Sequence, residues 1–163
     1  MVMGVSGTGK SSIGAPFAKA LGIDFVEGDE YHPAENVRRM ASGIPLTDEH
    51  RAGWLKLLAA RIREAKDAGT GLVVACSALK RAYRDVLRAG ASPAPLQFIY
   101  LRGSQAMIAE RMARRRGHFM PPALLDSQFD TLEEPTPDEG VWVCDVGESP
   151  EEIVAGLIAR ISE

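Results

Sequence analysis

Short runs of β-branched and apolar residues alternate along the chain with longer stretches whose apolar residues recur at helical spacing. This is the pattern of an α/β protein with a mostly parallel sheet. The strand-like runs are Met1 to Val5, Asp24 to Glu27, Leu72 to Cys76, Leu96 to Leu101 and Val141 to Asp145, which predicts five parallel strands. Leu72 to Cys76 is apolar throughout, as suits a strand covered on both faces. Between Thr47 and Gly69 the residues Trp54, Leu55, Leu58, Ile62 and Ala65 share one helical face, and Gly69 is placed to end the helix. The last helix has Ser149 as N-cap, Pro150 at its first position and Glu152 three residues after the cap. Its buried stripe is Ile153, Leu157, Ile158 and Ile161. Pro93 and Pro95, Pro121-Pro122 and Pro135-Thr136-Pro137 fall between elements and read as loops inside one domain. The first strand has almost nothing before a glycine-rich turn, so it is either unusually short or preceded by further residues.

A length of 163 residues predicts one domain, 1–163, with a single sizeable core. Hydrophobic residues at 45%, charged residues at 25% and a net charge of −3 are ordinary globular values, which disfavours disorder, a collagen-like chain and a polybasic nucleic-acid binder. The longest apolar run, Leu72 to Cys76, is far short of the ~20 residues that span a bilayer. Met1-Val2-Met3-Gly4 also lacks the charged start of a signal peptide, so no membrane association is expected and the location is expected to be cytoplasmic. Cys76 and Cys144 each sit in an apolar run and read as small buried hydrophobes in a reducing compartment. Their spacing does not suit zinc.

The glycine-rich turn is more specific. Gly4-Val5-Ser6-Gly7-Thr8-Gly9-Lys10-Ser11 fits G-x-x-x-x-G-K-[ST] and stands after a strand and before a helix, where that pattern must lie. Glycines let the backbone wrap so that successive N–H groups, with Ser6, Thr8 and Ser12 alongside, point at phosphate oxygens, and the following helix adds the positive end of its dipole. Lys10 is placed to reach the β- and γ-phosphates of a nucleotide, and the Ser11 hydroxyl to bind Mg²⁺. The bland alternative is a turn that binds nothing. The second strand ends at Glu27-Gly28-Asp29, which puts Asp29 at the carboxyl edge of an open parallel sheet, beside the phosphate loop. A carboxylate there can orient or deprotonate an attacking hydroxyl or hold a metal-bound water; taken alone it reads equally as a cap or turn residue.

From Gly28 the chain continues Gly28-Asp29-Glu30-Tyr31-His32-Pro33, then Asn36, Arg39-Met40 and Gly43-Ile44-Pro45-Leu46, with Asp48 and Arg51 before Trp54-Leu55. Further on stand Cys76-Ser77-Ala78-Leu79-Lys80 with Tyr83-Arg84-Asp85, then His118-Phe119-Met120, Leu124-Leu125 and Ser127-Gln128-Phe129. Over nearly the whole chain, from Gly4 to about Pro135, this resembles the gluconokinases, small P-loop kinases that phosphorylate gluconate. The departures are Tyr31 where Leu is usual, Arg39 where Lys is frequent, and Gly53 where Pro is usual. Ser77 stands where many P-loop proteins carry a Mg²⁺-directed aspartate.

The resemblance implies a P-loop kinase three-layer α/β/α sandwich with a five-stranded parallel sheet, and a small lid at about residues 112–125. It implies transfer of a phosphoryl group from Mg·ATP to D-gluconate, with Lys10, Asp29 and Arg115 as the catalytic residues and Ser11 on the metal. Gluconate is a small polyhydroxylated anion, so its site needs a cation for the carboxylate and several groups that hydrogen-bond hydroxyls. Lys80 and Arg84, one helical turn apart after the third strand, are candidates for the carboxylate, and His32 and Arg51 for hydroxyl or carboxylate contacts. Arg111, Arg114, Arg115 and Arg116 crowd one helix end; in isolation such a run is an exposed basic face. In the family context Arg115 is assigned to the phosphates and Arg111 to stacking on adenine, with the loop near Gly147 to Pro150 as the opposite wall. Similar enzymes are commonly homodimers. Rival readings are another small-metabolite kinase such as shikimate kinase, which the His32-Pro33 and Cys76 to Lys80 motifs oppose, or an ATP-binding switch without an acceptor.

Overall fold

The computed structural model describes residues 1–115 and 121–163. Five strands, β1 (Val2–Met3), β2 (Asp24–Glu27), β3 (Leu72–Ala75), β4 (Ile99–Arg102) and β5 (Trp142–Asp145), form one sheet in the order β2-β3-β1-β4-β5. Every pairing is parallel, with Val2 opposite Ala75 on one side and Ile99 on the other. The helices are α1 (Lys10–Leu21), α2 (Ala34–Ala41), α3 (Asp48–Asp67), α4 (Arg81–Ala91), α5 (Gln105–Arg114), α6 (Pro122–Thr131) and α7 (Pro150–Ile161). The chain steps from β1 across β3 to β2 through α1, then reverses direction for every later crossover. Right-handed crossovers therefore put α1 on one face of the sheet and α3 and α4 on the other. Packing agrees: α1 lies against α7, and α3 against α4. The α/β/α sandwich and the five parallel strands expected from the sequence are present.

The core is one contiguous cluster running through the sheet, with Val2, Met3, Val74 and Leu101 between Phe17 and Ile13 of α1 on one side and Trp54, Leu58 and Leu87 on the other. All five apolar residues predicted for α3 are buried. Thr47 caps that helix, but the residue answering it in the capping box is His50, whose Nδ1 accepts from the Thr47 N–H at 3.1 Å. Gly53 does not break α3, which is continuous through it. In α7 the Ser149–Glu152 capping box forms as predicted. Its stripe is shorter than expected: Ile153 and Leu157 are buried, while Ile161 in the last turn is exposed. Cys76 is buried as expected and Cys144 only half so. β1 is cut to two residues because the backbone turns out of the sheet at Gly4 to begin the glycine-rich loop. β4 begins at Ile99 and not at Leu96. Among the described residues no helix is long and apolar enough to cross a membrane.

Candidate active site

The site lies where the direction of the crossovers reverses, at the carboxyl ends of β1 and β3, which is where an open parallel sheet leaves a crevice. Residues 4–9 form the loop that leads into α1. Gly7 has φ +82° and a Cβ there would stand 2.7 Å from the Met112 side chain, so both the backbone angle and α5 demand glycine. The Thr8 hydroxyl donates to the Val5 carbonyl at 2.8 Å and braces the turn from inside. Lys10 folds over the loop, its Nζ 3.0 Å from the carbonyls of both Gly4 and Val5. Burial pushes the Lys10 ammonium below its ordinary value, and the nearby Asp29 carboxylate opposes that shift. A lysine partly desolvated and, among the described residues, held only by carbonyls can exchange them for phosphate oxygens.

The end of β2 supplies two carboxylates. The Ser11 hydroxyl donates to Glu27, and Glu27 and Asp29 line one polar pocket with Ser6, Lys10, Ser11, Ser12 and Arg115. Between the two acids, Gly28 is pressed so close to β3 that a Cβ would lie 2.3 Å from the Ala75 carbonyl oxygen. Its own carbonyl accepts from the Trp54 indole N–H at 2.7 Å. Ser11, Glu27 and Asp29 present only hard oxygen donors. Among the described residues no group of three or more His, Cys, Asp or Glu side chains forms a metal cage. That set fits Mg²⁺, which keeps several waters and takes the rest of its shell from phosphate.

Two further spaces open from this pocket. One, of about 270 Å³, is lined by Gly7, Thr8, Gly9, Ser12 and Ile13 on the loop side and by Arg111, Arg114, Arg115, Val146, Glu148, Pro150 and Ile153 opposite. The Arg111 guanidinium donates to the Val146 carbonyl, and both residues line this space with Glu148 and Pro150. Arg114 pairs with Glu110 on the exposed side of α5. The other space is narrower and is lined by Ser6, Lys10, Asp29, His32, Arg51, Trp54, Ser77, Leu79, Ser127 and Gln128, among others. Asp29 and Lys10 belong both to this cavity and to the polar pocket, so the two spaces meet at them.

Of the residues expected to hold the acceptor, Asp29, His32 and Arg51 come together in the narrow cavity. Lys80 and Arg84 do not. Lys80 reaches Asp48 at 3.0 Å. Arg84 is turned into the protein, where its guanidinium makes a two-pronged pair with Glu139 at 2.7 Å for each bond, the side chains only 1% exposed. It also donates to the carbonyls of Ala78 and Leu79. Arg84 is therefore a structural tie, because its charge and all three of its nitrogens are already engaged. Ser6 also differs from expectation, since its N–H donates to Gln128 Oε1 at 2.7 Å and docks α6 on the loop. Sequence reasoning gave no individual role to Glu27, Gln128 or Trp54, although the last two stand in the motifs that carry the resemblance. Glu27 had a signal, being the first acid of the Glu27-Gly28-Asp29 strand end. The expected lid segment, 112–125, includes residues 116–120, and with Arg116 and His118 it lies partly outside the described residues.

The comparisons agree with this geometry. A protein-family model described as an AAA domain matches residues 1–135. A gluconokinase from Gluconobacter oxydans is 46% identical over 97% of this chain and 88% of its own. The thermosensitive gluconokinase of Escherichia coli is 50% identical over 85% and 73%. The chain belongs to the gluconokinase family. Among solved structures, a gluconokinase from Sinorhizobium meliloti superposes with a TM-score of 0.89 at 47% identity, covering 99% of this chain and 89% of that one. A shikimate kinase from Aquifex aeolicus shares the fold alone, with a TM-score of 0.60 at 14% identity. Membership in the gluconokinases thus rests on identity over most of the chain, well beyond the phosphate loop that many kinases have.

Proposed function

We propose that this chain transfers the γ-phosphoryl group of ATP to the 6-hydroxyl of D-gluconate, giving ADP and 6-phospho-D-gluconate by direct in-line displacement. The observation that carries the reading is Arg51. It is nearly buried, lines the narrow cavity, and donates to the Tyr83 hydroxyl at 3.2 Å. Tyr83 in turn donates to Asp48, so among the described residues no carboxylate pairs with Arg51 directly. A desolvated guanidinium left with a phenol calls for an anion, and the carboxylate of a sugar acid supplies one. Asp29, which lines the same cavity, meets the acceptor hydroxyl and accepts its proton or orients it. Lys10, the loop N–H groups and Arg115 neutralise charge on the phosphoryl group in transit. Ser11, Glu27 and Asp29 would hold Mg²⁺, which when bound would offset the charge of the β- and γ-phosphates.

The test is ADP release by the purified protein with Mg·ATP and gluconate, shikimate, other sugar acids or no acceptor. Stimulation by gluconate above the rest is expected. Stimulation by shikimate alone, or hydrolysis indifferent to every acceptor, would overturn the reading.

A further inference from the structure

His32 is fixed on two sides. Its ring lies on the indole of Trp54 with centroids 4.0 Å apart and planes 19° from parallel. Its Nδ1 edge meets the side-chain amide of Asn36, four residues on in α2 and only 3% exposed. That amide nitrogen lies 2.8 Å from the His50 carbonyl oxygen and 3.3 Å from His32 Nδ1.

The short contact decides which amide atom is which. A backbone carbonyl only accepts, so the atom facing it must be the NH₂; turning the amide over would set two oxygens against each other. The same NH₂ then donates its second hydrogen to Nδ1, which must carry a lone pair. A neutral imidazole with Nδ1 unprotonated has its proton on Nε2. Trp54 covers one ring face and Asn36 the Nδ1 edge, so the Nε2–H edge is the one left for the cavity that His32 shares with Asp29 and Arg51.

We propose that Asn36 is a positioning residue that holds His32 as the neutral Nε2–H tautomer, so that the cavity offers a directed donor to an oxygen of the sugar acid. This rests on the reading of that cavity as the acceptor site. Protonating Nδ1 would turn it into a second donor facing Asn36 and break their bond. Burial, the largest cause, and Arg51 from α3 both disfavour the imidazolium, while Asp29 from the turn before His32 favours it. Lys10 from α1 is a further charged group that lines the same cavity.

The experiment is ¹⁵N–¹H correlation of the imidazole nitrogens in the whole protein across pH, with His32 assigned by the signals lost in His32→Gln. At neutral pH the wild type is expected to show Nε2 protonated and Nδ1 bare, with a midpoint below that of a free imidazole. In Asn36→Ala, which removes the donor to the neutral form, the midpoint should rise by about half a pH unit or more. The KM for gluconate should rise about three- to tenfold, the worth of one directed hydrogen bond, with the KM for ATP unchanged. A wild-type ring protonated on Nδ1, or an unmoved midpoint in Asn36→Ala, overturns the proposal. If that variant does not fold, the wild-type spectrum still decides. A correct tautomer in a protein whose ADP release ignores gluconate would support the role of Asn36 and remove only the reading of the cavity.

Discussion

Replacing Glu139 with Gln tests whether Arg84 belongs to the scaffold or to the substrate. The carboxylate takes both prongs of Arg84 at 2.7 Å and a further bond from Arg88 at 2.9 Å, and its side chain is 1% exposed. An amide keeps the shape and one acceptor but leaves a buried guanidinium without its counter-charge. Breaking a buried pair from one side costs about 3–5 kcal/mol, and the retained acceptor places this variant near the lower end. For a chain of this size about 3 kcal/mol lowers Tm by roughly 6–12 °C. Urea and thermal unfolding read that loss, and gluconate kinetics well below the transition read the site. The KM for gluconate should stay within about twofold, because Arg84 does not line the acceptor cavity. The pH dependence gives a second check. The Arg84 bonds hold the Glu139 carboxyl at about 2, below its ordinary 4.5. The pair's contribution is thus whole above the unfolded value and is lost as pH falls from there toward 2. The wild type should lose stability over that window more steeply than Glu139→Gln. A variant as stable as the wild type, or one whose gluconate KM moves tenfold while it remains folded, would refute the assignment of Arg84 to the scaffold.

Three other substitutions probe the site and its support. Asp29→Asn should lower kcat for gluconate phosphorylation about 100-fold or more while the KM for ATP stays within about twofold, as steady-state kinetics would show. Lys10→Met should impair both, since Lys10 stands in the polar pocket and the acceptor cavity alike; nucleotide binding by calorimetry and turnover are the two readouts. Gly53→Ala should stabilise the protein by about 1 kcal/mol in urea unfolding, because Gly53 lies inside α3, is exposed, and a Cβ there would meet nothing within 4 Å.

What the sequence made legible was local. The Ser149 cap, the one-sided stripe of α3 and the glycine loop each lie within a few turns of chain, where period and turn chemistry act directly. Arg84 was misplaced for the opposite reason. One helical turn from Lys80 it looks like half of an anion site, and the carboxylate that claims it arrives 55 residues later. Lys80 is likewise taken by an aspartate 32 residues earlier. Charge type and spacing show what an arginine can bind, and only the fold shows which partner reaches it. His50 hid in the same way, because a capping box is read from Glu or Gln, and an imidazole at that position signals something else.

The three residues proposed for the acceptor, Asp29, His32 and Arg51, line one cavity and share one support. Arg51 and Trp54 stand one turn apart on α3, the longest helix, whose inner face is buried from Arg51 to Ala65. Through its indole N–H, Trp54 holds the Gly28 carbonyl between Glu27 and Asp29, and its ring face carries His32. Gly28 cannot yield toward β3, since the Ala75 carbonyl already occupies the space a side chain would need. The backbone between the two carboxylates is therefore clamped from both sides, with Glu27 turned to Ser11 and Asp29 to the acceptor cavity. Carboxylate, imidazole and guanidinium thus take their spacing from a single rigid helix. In-line transfer needs that spacing, because a misplacement of about 1 Å at the reacting atoms costs about 100-fold in rate.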